Sequence, residues 1–66
     1  MDPNRTWQEL VDAVRNDDWV PAADLAEVLL DWLNRDGFPP NITGIREFDR
    51  VAARAVCDAV AAWEIA

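Results

Sequence analysis

Cys57 is the one strongly nucleophilic side chain in this sequence of 66 residues, and none of its usual helpers is present. The chain has no histidine, lysine, tyrosine or serine, so no ready general base stands by to activate the thiol or a hydroxyl. On a helical wheel of the C-terminal segment, Cys57 falls about 150° from the centre of the apolar stripe, on the side of Arg46, Arg50 and Arg54. Cations there would lower a thiol pKa. The plainer reading is preferred, a partly exposed thiol without a role. One cysteine and no histidine exclude an internal disulfide and a thiolate or imidazole zinc site. What remains is Thr6, Thr43 and carboxylates, a set that predicts no enzyme, no catalytic residue, no metal and no cofactor.

The charged residues point the same way. Asp24, Glu27 and Asp31 share one helical face and Asp17-Asp18 precede it, but a calcium loop needs alternating ligands and a glycine at the bend, which are absent. A solvated helix face is expected. Arg46, Arg50 and Arg54, four apart, form the one basic strip; pairing within the helix, Glu47 with Arg50 and Arg54 with Asp58, is the expected use. A net charge of −7 disfavours nonspecific binding to nucleic acid or to an anionic membrane. The start Met1-Asp2-Pro3-Asn4-Arg5 lacks a signal-peptide pattern, and acids interrupt every apolar run, so a cytoplasmic location is expected. Asn41-Ile42-Thr43 then matches the glycosylation pattern by chance.

The elements that must carry these residues are helical. Pro21 to Asp36 has an apolar arc of roughly 220°, far wider than the ~100° stripe of an ordinary surface helix, so it expects neighbours on more than one side. Before it, Thr6-Trp7-Gln8-Glu9 reads as a capping box that opens helix 1, with Trp7, Leu10, Val11 and Val14 as its stripe. Gly37 suits the left-handed position after helix 2, and Pro39-Pro40 block continuation. In helix 3 Ile45, Phe48, Ala52, Ala55, Val56, Ala59, Val60 and Trp63 keep the three-and-four spacing, which makes them the expected core face. No alternating run or hairpin turn predicts a strand. The expected fold is all-α, a three-helix bundle with helices at about 6–16, 21–36 and 45–64, the first two forming an αα-hairpin within a single domain 1–66.

Trp7-x2-Leu10, then Asp18-Trp19, Ala22, Ala26 and Leu29, with prolines after the pair, resembles one tetratricopeptide helical hairpin over residues 7–40. The resemblance implies a packing style for the helix pair and a tendency to bind peptides or partners; it transfers no site. The Trp-Leu and Gly37-Phe38-Pro39-Pro40 layout is also similar to that of small bacterial proteins, a likeness that carries no activity.

Tryptophan is frequent here, at positions 7, 19, 32 and 63. Trp7 and Trp32 are expected as core anchors, while Trp19 and Trp63, near element ends, are interface candidates. Helices 2 and 3 carry more apolar width than a three-helix monomer covers, and chains this short often gain support from self-association. The expected function is a small acidic interaction or structural protein forming a homo-oligomer, most simply a dimer, through Trp19, Ala23, Leu30, Val51, Ala62 and Trp63, with a protein or peptide as a further partner. One alternative is an acidic decoy that occupies a nucleic-acid-binding protein. Another is a small helix-turn-helix regulator reading DNA through Arg46, Arg50 and Arg54, against which the net charge and the long 37–44 linker both count.

Overall fold

Three helices carry the chain in the computed structural model, which describes residues 1–65, with side chains through Trp63. α1 spans Pro3–Arg15, α2 Trp19–Asn34 and α3 Arg46–Ile65, and no strand occurs among the described residues. α1 and α3 both pack on α2 and scarcely meet each other, so α2, the helix with the widest apolar arc, is the middle element. The radius of gyration, 10.9 Å, is close to the ~10.8 Å expected of a collapsed chain of this length. Exposure of apolar residues is therefore a matter of which face is covered, not of a loosely collapsed chain.

Helix ends differ from the expected boundaries for local reasons. α1 begins three residues early because Asp2-Pro3 is itself a start signal: Asp2 Oδ1 accepts from the amides of Asn4 (3.0 Å) and Arg5 (3.4 Å), and proline fits the first helical position. Thr6 instead donates its hydroxyl to the Asp2 carbonyl at 3.2 Å, and Glu9 pairs with Arg5. α2 starts at Trp19, which brings Trp19 and Val20 into the helix and leaves Pro21 within the first turn, where a missing amide proton costs nothing.

Both α1 and α2 end in the same motif with aspartate at the left-handed position. Asp17 (φ 55°) donates to Val14 and Asp18 to Ala13; Asp36 (φ 63°) donates to Leu33 and Gly37 to Trp32. Gly37 is therefore not the left-handed residue. Its hydrogen is required by the Trp32 indole, which lies where a Cβ would sit. That indole also donates to the Phe38 carbonyl at 2.8 Å and meets the Phe38 ring edge-on, so the chain folds back over the end of α2 before Pro39-Pro40.

The largest departure is the rotation of α3. Its buried face is Asp49, Ala53, Cys57 and Val60, while Ile45, Phe48, Val56 and Trp63, expected in the core, are exposed. The buried set also has helical spacing, and polar anchors select it. Asp49, only 2% exposed, accepts from the Thr43 hydroxyl (2.7 Å) and from the amides of Thr43 (2.8 Å), Ile42 and Gly44 (both 3.2 Å), so it organises the linker beneath α3. Arg50 donates to the Leu33 and Gly37 carbonyls at the end of α2 (3.1 and 2.9 Å), and Arg54 donates to Asn34 Oδ1 (2.7 Å). Turning α3 to bury Phe48 would strip these bonds and leave buried polar groups without partners, at about 1–3 kcal/mol each. Small residues on both helices, Ala22 and Ala26 on α2 and Ala53 and Cys57 on α3, complete the fully buried interior with Leu10, Leu29 and Leu33.

Candidate functional site

Because α1 and α3 stand apart on α2, a groove of about 440 Å³ lies between them. Trp7, Val11 and Val14 of α1 form one wall, Val56 and Trp63 of α3 the other, and Trp19 at the start of α2 closes one end. The buried side chains of Leu10 and Val60 lie beneath. The Trp19 and Trp63 indoles stack with centroids 5.8 Å apart and planes inclined by 25°. Arg15 is the one charged residue along the groove.

The apolar surface continues around α3. Steps of 100° place Val51, Ala55, Phe48, Ala59, Trp63 and Val56 on one arc of about 140° that holds no charged residue. Ile45 (63% exposed), Phe48 (57%), Val51 (66%) and Trp63 (64%) all lie open on this side of the molecule. Glu47 and Asp58 border the arc on the edge away from the groove.

The six residues expected at an interface divide among three places. Trp19 and Trp63 come together in the stack. Ala23 and Leu30 are half-buried and line a different depression, beside Asp24, Glu27, Asp31 and Ala61, on the other side of α3. Val51 and Ala62 belong to the outward arc of α3. The spacing of Ile45, Phe48 and Val56 predicts interior positions, but they are surface residues. The signal that distinguishes the two faces is Asp49-Arg50 with Arg54, polar residues whose reach ties their edge of the helix to α2.

The groups that might carry chemistry are occupied. Cys57 is fully buried, not partly exposed, and desolvation with the nearby Asp58 charge pushes its thiol from 9.0 up to about 11, which removes the thiolate a reactive cysteine needs. Burial pushes the Asp49 carboxyl up, but the Thr43 hydroxyl and the amides of Thr43, Ile42 and Gly44 outweigh it and hold the group below its ordinary value of 3.8. Arg50 and Arg54 serve the end of α2 in place of the expected pairs with Glu47 and Asp58. Among the described residues no three acidic, cysteine or histidine side chains converge as a metal site would require, and no helix is long and apolar enough to cross a membrane. No family model, curated protein or solved structure matches the chain. Its prominent chemistry is an apolar surface: a groove and the open helix face beside it.

Proposed function

We propose that the chain is a small acidic interaction protein that self-associates, most simply as a dimer, through the outward face of α3. The observation that carries this reading is the exposure of Ile45, Phe48, Val51 and Trp63 on one uncharged arc. Aromatic residues bury about 150–250 Å² each, so two of them with the intervening valines and alanines offer on the order of several hundred Å². A stable interface takes roughly 800 Å² from each partner. Ala52, Ala55 and Ala59 near the middle of the arc allow a second backbone to come close. α2, expected to share the contact, is largely taken up by its own two neighbours, so α3 carries most of it. The tetratricopeptide-like pairing of α1 and α2 adds a peptide-binding style to the same reading.

Sedimentation velocity over about 1–100 µM tests it, since association follows mass action. The wild type is expected to shift from monomer to dimer, and Val51→Glu to remain monomeric with an unchanged helical spectrum. A wild type that stays monomeric throughout overturns the proposal. Each copy carries −7, so added salt is expected to tighten self-association by screening like charges.

The acidic-decoy reading is favoured by one observation: 13 Asp and Glu stand against six arginines, of which Arg50 and Arg54 are bound to the end of α2. Failure to displace DNA from basic DNA-binding domains would remove it. For the helix-turn-helix alternative the same engagement of Arg50 and Arg54 leaves Arg46 alone to reach a groove of DNA.

A further inference from the structure

We infer that the groove between α1 and α3 seats α3 of a second copy of the chain, each copy filling the groove of the other; this rests on the self-association proposed above and fixes its geometry. Area is the first reason. Phe48 and Trp63, each more than half exposed, have about 100–150 Å² apiece left to bury, so with Ile45 and Val51 the open arc supplies on the order of half of the ~800 Å² per partner that a stable interface takes. The half-buried side chains of the α1 wall, Trp7, Val11 and Val14, continue this surface across Val56 and Trp63 and supply much of the rest. A foreign helix or a small apolar guest in the slot would leave Phe48 and Val51 open. Exchange of α3 between two copies covers slot and arc together, because a two-fold interface sets one patch against itself.

The order of residues around α3 fits this arrangement. Val56 and Trp63 face the groove, Phe48 and Ala59 follow about 60° further round, and Val51 and Ala62 about 60° beyond those, with Asp58 at their outer border. Set against its own counterpart through Phe48 and Ala59, each α3 turns Val51 and Ala62 toward the other copy's α1, whose wall ends in Val11 and, about 40° further out, Arg15. Heights agree as well. Asn41, ahead of α3, donates its amide to Asn4 Oδ1 at the start of α1 (2.6 Å), and Arg15 and Trp63 line the same groove, so α1 and α3 run the same way. A two-fold axis along the helices keeps equivalent residues level and brings Asp58, about 7.5 Å along the helix from Trp63, within side-chain reach of Arg15 in the other copy.

Charge selects the same occupant. Arg15 is the one cation on the groove, and among the described residues neither Arg15 nor Asp58 is in an ion pair. Each seated α3 therefore brings an unpaired carboxylate to an unpaired guanidinium, twice in the dimer. Neither the arc nor the groove lining contains a carboxylate, so two chains of net −7 meet here through the surfaces freest of repulsion.

Sedimentation velocity on the full chain at constant salt reads the exchange. Val11→Glu, on α1 and outside the α3 arc, is expected to weaken the dimer at least about a hundredfold by burying an unpaired charge. Arg15→Glu and Asp58→Arg are each expected to weaken it about tenfold, the second even though it reduces the overall negative charge. The combined Arg15→Glu and Asp58→Arg protein is expected to return to within about threefold of wild type, because the pair is restored with its signs exchanged. Arg46→Glu, the same change of charge away from groove and arc, is expected to alter association less than about threefold. Should Val11→Glu fail to fold by circular dichroism, the exposed charge pair carries the test. A dimer broken by Val51→Glu but indifferent to a folded Val11→Glu, single charge variants without effect or without recovery in the combined protein, or growth beyond the dimer overturns the exchange and leaves self-association in place. A wild type still monomeric at ~100 µM overturns both.

Discussion

The two long edges of α3 invert the usual division between core and surface. The edge against α2 holds Asp49, Ala53, Cys57 and Val60, small or even charged, while the open edge displays Ile45, Phe48, Val51 and Trp63. Bulk alone would have put the second set inside, by about 1.5–3 kcal/mol for each large apolar side chain. What outweighs it is polar satisfaction: the Asp49 cluster and the two arginines at the end of α2 fit together in one rotational setting only. A chain folded in this way leaves a contiguous apolar patch exposed, a feature that in general marks interaction surfaces.

Chemical labelling offers the sharpest break of this comparison. Mild alkylation of the native protein is expected to leave Cys57 unmodified on the time scale in which denatured protein reacts fully, read by mass spectrometry. Its thiol, pushed up to about 11, holds roughly two orders of magnitude less thiolate than at the ordinary value. Prompt native labelling would mean that α3 does not present this edge to α2.

Matched insertions of bulk come next. Ala53→Leu, at a fully buried position, is expected to cost about 1–3 kcal/mol in urea unfolding, whereas Ala55→Leu on the open edge stays within about 0.5 kcal/mol. Equal costs would abolish the distinction between the edges. Arg50→Ala removes both bonds to the closing carbonyls of α2 and should cost about 1.5 kcal/mol, while Arg46→Ala, with no partner among the described residues, should be nearly silent in the same measurement.

Acid gives the smallest and most specific readout. Asp49 titrates below its ordinary 3.8 in the folded state, so its contribution is fully present above that pH and is lost as pH falls through the lower folded value. Unfolding free energy followed downward from pH 5 should therefore decline below about pH 4 in the wild type. Asp49→Asn, though less stable, should show a shallower decline over that window. Parallel curves would show that other carboxylates govern acid sensitivity.

Much of the architecture was legible from local chemistry. The three helices follow from periodic apolar residues, the turn at Asn16-Asp17-Asp18 from its composition, and the stop after α2 from Gly37-Phe38-Pro39-Pro40. Helix starts slipped by two or three residues where two signals competed, Asp2-Pro3 against Thr6 and Asp18 against Pro21. Of the candidate site, the uncovered position of Val51 and Ala62 on α3 was legible from the wheel, whereas the stacking of Trp19 on Trp63 was not. The wheel groups Ala23 and Leu30 with Val51 and Ala62 although they line a separate depression, because a wheel orders residues around one helix and says nothing of where a neighbour stands.

The sequence by itself determined that this chain is three helices, that it holds no histidine, lysine, serine or tyrosine, and that its second and third helices carry wide apolar arcs. Spacing and composition act within a few residues, so they suffice for such statements. Which edge of α3 faces inward was decided only in the tertiary structure. Two sets of residues on that helix have acceptable helical spacing, and the choice between them rests on hydrogen bonds from Asp49, Arg50 and Arg54 to loop and helix-end groups as much as 20 residues distant in the chain. Partners so remote leave no mark on the periodicity of α3, and so a buried cysteine and an open groove beside Trp63 emerged only when the helices were packed.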